Sequence, residues 1–163
     1  MRAWIAIATV AGLTAGARAD TADDTAIRER IDAFTAAFRA KDVDKIMALY
    51  EHSDHLVVYD VAPPRQYTGW NAYRDDFVHF FQRFRGPLTV EVSDLQISSD
   101  GTMAYATRIN HVVGVMTNNT KVDNTVRVTL VFRKLGGSWL IVHEHISIPV
   151  DPATGKGDSH ARP

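Results

Sequence analysis

Two histidines stand two residues apart, His143 and His145, in the run Trp139–Pro149 that alternates like a β-strand. Strand spacing puts both imidazoles on one face with Ile141 and Ser147, while Glu144 points the other way among Leu140, Val142, Ile146 and Ile148. Paired imidazoles suit proton transfer, anion binding or metal ligation. Histidines simply hydrogen-bonded in a half-buried sheet are the plain alternative. A metal would need a third ligand, from Asp60, His111 or a neighbouring strand. No HExxH or comparable spacing is present, so neither a metal nor another cofactor is expected. Arg127 alternates with Val126, Val128, Leu130 and Phe132 on what reads as the partner strand, and an Arg–His neighbourhood favours an acidic or carbonyl-bearing ligand. An exposed or dimer-interface arginine fits the same pattern.

Asp60 closes a valine-rich strand beside Pro63-Pro64. A carboxylate in a partly apolar cavity has its charged form disfavoured, so it can take and return a proton near neutral pH. A strand-end aspartate that satisfies turn N–H groups is the alternative. Tyr59, Trp70 and Tyr73 lie close by in sequence and can wall a pocket, although the aromatic stripe that holds the last two is mostly core.

These side chains need elements to position them. Ile27, Ile31, Phe34 and Phe38 recur at helical spacing from Asp24 to Ala40, and a short second helix follows, capped by Asp42, with Val43, Ile46, Met47 and Tyr50 inward. His55–Asp60 reads as a strand, Val61–Gln66 as a proline-broken loop, and about Trp70 to Phe84 as a third helix stopped at Gly86-Pro87. Leu88–Ile97, Thr102–Val115, Asp123–Lys134 and Ser138–Ile148 then read as four strands of an antiparallel meander with tight turns between them. Helices first and a long antiparallel sheet afterwards imply an α+β domain, its helices on one face of a curved sheet with a pocket at the open end.

With 163 residues, the chain has the length of one domain. Having no cysteine, it excludes disulfides, thiolate nucleophiles and iron–sulfur clusters. The net charge of -1 and the lack of any basic run give nucleic acid no electrostatic footprint. Residues 1–19 combine Arg2, an apolar stretch and Ala17-Arg18-Ala19, the pattern of a cleaved signal peptide. Its removal would leave Asp20 as the mature terminus of a secreted or periplasmic protein without stable membrane insertion. The domain proper is 20–150, and the polar tail 151–163 reads as loose.

The segments Ala37–Tyr50, Val57–Asp60, Tyr67–Tyr73 and Trp139–Pro149 together resemble the nuclear-transport-factor-2-like superfamily, in particular its SnoaL-like and ketosteroid-isomerase-like members. The resemblance covers roughly 25–150 and implies a cone of three N-terminal helices on a curved antiparallel sheet. It also implies a role: Asp60 is placed similarly to the general base of ketosteroid isomerases. The tyrosine that holds the oxyanion in those enzymes is matched here by Phe34, which cannot donate a hydrogen bond. Steroid isomerisation by that mechanism is therefore not expected, and Tyr59, Tyr73, Trp70, Arg127, His143 or His145 would have to substitute.

The reading that follows is an isomerase or lyase that removes a proton beside a carbonyl of a small organic substrate. Asp60 would be the base and His143, His145 or Arg127 the polarising partners, with Tyr59, Trp70 and Tyr73 around the ligand. A non-catalytic small-ligand or assembly module is the rival. Asp60, Tyr59, Trp70, Arg127, His143 and His145 are expected to converge on one cavity. Apolar residues on both faces of the last strand predict a homodimer through the sheet.

Overall fold

Helical spacing of Ile27, Ile31 and Phe34 makes α1 (Ala22–Ala40) an amphipathic rod whose apolar stripe is buried. Asp42 caps α2 (Val43–Met47), its carboxylate accepting the Lys45 N–H at 3.0 Å. Gly69, at φ 89°, turns the chain into α3 (Trp70–Gln82), which buries Tyr73, Phe77 and Phe81. α1 and α3 interlock through aromatic edges, with Phe34 against Phe77 at 6.3 Å and Phe38 against Phe81 at 5.2 Å between ring centres. A computed structural model describes residues 22–160, so the segment read as a signal peptide lies outside the described residues. Among the described residues no helix is long and apolar enough to cross a membrane.

Behind the helices lies one curved, unclosed six-stranded sheet in the order β2-β1-β6-β5-β4-β3. Its strands are β1 (Val57–Tyr59), β2 (Tyr67–Thr68), β3 (Phe84–Ser99), β4 (Met103–Met116), β5 (Lys121–Leu135) and β6 (Ser138–Ser147). From β3 to β6 it is the expected antiparallel meander, and β1 adds to β6 in parallel, with Val57 beside His143 and Val58 beside Glu144. The third helix ends two residues earlier than its spacing predicts. Phe84 already pairs with Met116, and Gly86, at φ 66°, and Pro87 sit in a register break of β3 instead of stopping a helix. Gly114 lets Leu88 and Phe84 of β3 pack close over β4, since a Cβ there would stand 2.5 Å from Leu88 Cδ2 and force that side chain to shift.

One irregularity decides which side chains face the core. Phe132 pairs with Ile141, but Val131 pairs with His143, so Val142 is an extra residue in β6. The bulge switches the alternation. Trp139, Ile141 and Glu144 therefore share the buried face, and His143 and His145 are left on the other. The tail read as loose makes backbone bonds as far as its described end: Asp158 N–H donates to Pro149 O, and Thr125 N–H to Ser159 O, both at 2.8 Å.

Candidate functional site

A cavity of about 320 Å³ lies between the helices and the inner face of the sheet. Phe34 and Phe38 of α1, Phe77 and Phe80 of α3, and Val112 and Val128 of the sheet give it apolar walls. Its polar lining draws on helices and sheet alike, and includes Thr35 of α1, Tyr67 of β2, His79 of α3, Arg83 just after that helix and Asn124 of β5. Asp60 follows β1 at the rim, Tyr73 and Asp76 come from α3, Arg108 and Asn110 from β4, and Glu144 from β6.

Glu144, 2% exposed, is fixed through one oxygen. The hydroxyls of Tyr50 and Tyr73 both donate to its Oε2, at 2.6 and 2.9 Å. Burial raises the Glu144 carboxyl above its ordinary range, against the pull of the two phenols and of Arg108. Burial, joined by the Glu144 charge, pushes both tyrosines well up, so they stay protonated donors. Arg108 is also 2% exposed, and its guanidinium carbon lies 5.2 Å over the Phe34 ring. Its Nε, Nη1 and Nη2, and Asn110 Oδ1, are buried with no hydrogen-bond partner among the described residues. At the rim, Asp60 Oδ1 accepts the N–H groups of Val61 and Ala62 at 2.5 and 3.3 Å. Burial raises the Asp60 carboxyl, and those two bonds oppose the rise. Asp76 accepts the Tyr67 hydroxyl at 2.6 Å.

The expected convergence of six side chains is not what the fold builds. Of the residues picked out in the sequence, Asp60 and Tyr73 line the cavity, whereas Tyr59, Trp70, Arg127, His143 and His145 do not. Tyr59 packs edge-on against both His143 and His145, at 5.2 and 5.6 Å, on the outer face of the sheet. His143 Nδ1 is bound to Val57 O at 2.7 Å. Arg127 is exposed opposite Ser147. Trp70 braces two helices, donating its indole N–H to Met47 O at 3.0 Å and stacking on His52. For the two histidines the physical cause is the Val142 bulge, which takes Trp139 and Ile141 to the buried face and leaves His143 and His145 off it. Among the described residues, no group of three or more metal-ligating side chains is close enough to hold an ion. Arg108, Asn110 and Tyr50 escaped the sequence reading of the site, although Glu144 among aliphatic neighbours on its own strand face was a visible signal.

A SnoaL-like domain model matches residues 27–151, most of the chain. The chain belongs to the SnoaL-like domain family. Its SnoaL-like domain superposes on an NTF2-like protein of unknown function from Pseudomonas putida KT2440 with a TM-score of 0.78 and 28% identity, over 87% of this chain and 97% of that one. An NTF2-like superfamily protein from Salmonella enterica serovar Typhimurium gives 0.70 and 22% identity over 81% and 94%. A ketosteroid isomerase-like protein from Erwinia carotovora atroseptica gives 0.64 and 16% over 76% and 93%, a likeness of fold alone. No curated protein matches this SnoaL-like domain significantly.

Proposed function

We propose that this SnoaL-like domain holds a small organic substrate in its cavity and removes a proton from a carbon beside a carbonyl, with Asp60 as the base. The observation that carries this reading is Asp60 itself. It borders the cavity from the loop after β1, with Oδ1 tied to two backbone N–H groups and burial pushing its carboxyl upward. A base so placed takes the proton while the electron pair moves onto the carbonyl oxygen. Return of the proton to another atom gives an isomerase; departure of a leaving group gives a lyase. The polarising group must come from within the cavity, where Arg108 and Tyr73 are among the lining donors, since His143, His145 and Arg127 stand outside it. Export belongs to the same proposal, on the pattern of residues 1–19, and N-terminal sequencing of the exported protein decides it.

The test is hydrogen exchange in heavy water over a panel of small ketones and oxo acids, followed by proton NMR. Deuterium should enter beside the carbonyl of at least one compound, and Asp60→Asn should slow this by about a hundredfold or more while binding persists. An unchanged rate in Asp60→Asn would remove Asp60 from the role. A second reading, a binding module without turnover, draws on the two bonds to Asp60 Oδ1, which also suit a simple loop cap. On that reading, compounds bind and none exchanges.

A further inference from the structure

Position 108 is an inward place on β4, between Ala106 and Asn110, where alternation would ordinarily put an aliphatic residue. An arginine there keeps its charge, because a guanidinium does not deprotonate in proteins. Phe34 covers one face of the group and offers nothing to its N–H edges. Glu144 is the natural partner, yet both phenols meet its Oε2 and it makes no hydrogen bond to Arg108. A buried cation with an unmatched fork of donors, on the wall of a cavity, is built to receive a planar anion.

Resting on the reading of this cavity as a small-molecule site, we propose that Arg108 is a carboxylate-binding group and that the cavity takes a monoanionic carboxylic acid with an apolar, ring-sized body. Three features narrow the class. The guanidinium fork matches the two oxygens of a carboxylate. Asp60, Asp76 and Glu144 border the same cavity against Arg108 and Arg83, three carboxylates to two guanidinium groups, so a dianion such as a phosphate monoester is balanced less well than a monoanion. The walls are mostly aromatic and aliphatic, and about 320 Å³ is near the small end of ligand pockets, which run from roughly 300 to 1,000 Å³. Asn110 Oδ1, buried and unpartnered beside the arginine, adds an acceptor for a hydroxyl or N–H on the ligand.

Calorimetric titration of the folded protein with benzoate, phenylacetate and cinnamate, each beside its neutral amide and with phenyl phosphate as the dianion, tests this. At least one carboxylate should bind, about tenfold or more tighter than its amide, and the phosphate ester should bind no better than the amide. Arg108→Met should abolish the preference and Arg108→Lys should restore part of it, each checked for native circular dichroism. His145→Ala, on the outer face of the sheet, should leave the preference intact. Equal binding of acid and amide by the unaltered protein, failure of every acid to bind, or a preference that survives Arg108→Met would each overturn the inference. Neutral carbonyl compounds that bind and exchange would, in that event, leave the role of Asp60 standing.

Discussion

Glu144 shows what a single residue costs and contributes in this fold. Its backbone is held in β6 between β1 and β5, and its buried carboxylate is satisfied by phenols from two separate places, Tyr50 and α3. Removing it strands two hydroxyls and leaves Arg108 without its counter-charge, so Glu144→Ala should destabilise the protein by about 3–5 kcal/mol in urea denaturation. Burial places the folded-state carboxyls of Glu144 and Asp60 above their ordinary values of 4.5 and 3.8. The native state therefore holds these protons more tightly than the unfolded chain does. The associated stability is full below the ordinary values and is lost as pH rises through the raised ones. Stability measured from acid pH upward should fall more steeply in the unaltered protein than in Glu144→Gln; equal slopes would contradict the account. At this scale Asp60 was legible, because a strand-end carboxylate beside a proline loop is a local pattern. Arg108 was not. The neighbours of Arg108 on its own face are Ala106 and Asn110, and Thr107 and Ile109 flank it on the other, so no periodicity distinguishes inside from outside.

Among elements, those with strong periodicity or strong turn chemistry were readable within a residue or two. The cap of α2 by Asp42 and the turn between β3 and β4 are examples. In that turn Asp100 Oδ1 accepts from the N–H groups of Thr102 and Met103 and from the Thr102 hydroxyl, at 2.8 to 2.9 Å. These bonds hold its carboxyl down at about 2. A carbon NMR titration should find that midpoint, and a value near 3.8 would show the turn to be unformed. The sign is opposite to that of Glu144: the contribution of Asp100 is present above the ordinary carboxyl value and lost as pH falls through about 2. β6 was legible as a strand but not in its facing. A bulge costs one residue and leaves no mark in composition, so Trp139 and Ile141, which alternation groups with the two histidines, stand instead on the buried face with Glu144.

For the whole molecule, the order of helices and strands was enough to predict helices on one face of a curved sheet, since each amphipathic element has few ways to bury its apolar side. What covers the other face was predicted from the last strand, and the structure puts the exposed apolar groups elsewhere, chiefly on β4. Tyr105 is 51% exposed, and Met103 and Val113 lie on the same outer face, with half-buried Ile109 between them. This is the patch through which we expect two copies to associate. Sedimentation at micromolar concentration should show a dimer that Tyr105→Asp dissociates, and a monomer in the unaltered protein would reject it.

The central claim is that the working face of the sheet is the inner one, between Asp60 and Arg108, and not the outer cluster of Tyr59, His143 and His145. The most direct measurement is a crystal structure of the protein with a ligand that native mass spectrometry retains from a metabolite mixture. The account predicts ligand density inside the cavity, with an oxygen of the ligand on the Arg108 guanidinium and a carbon facing Asp60. Density seated against His143 and His145 on the outer face, with the cavity free of ligand, would contradict it.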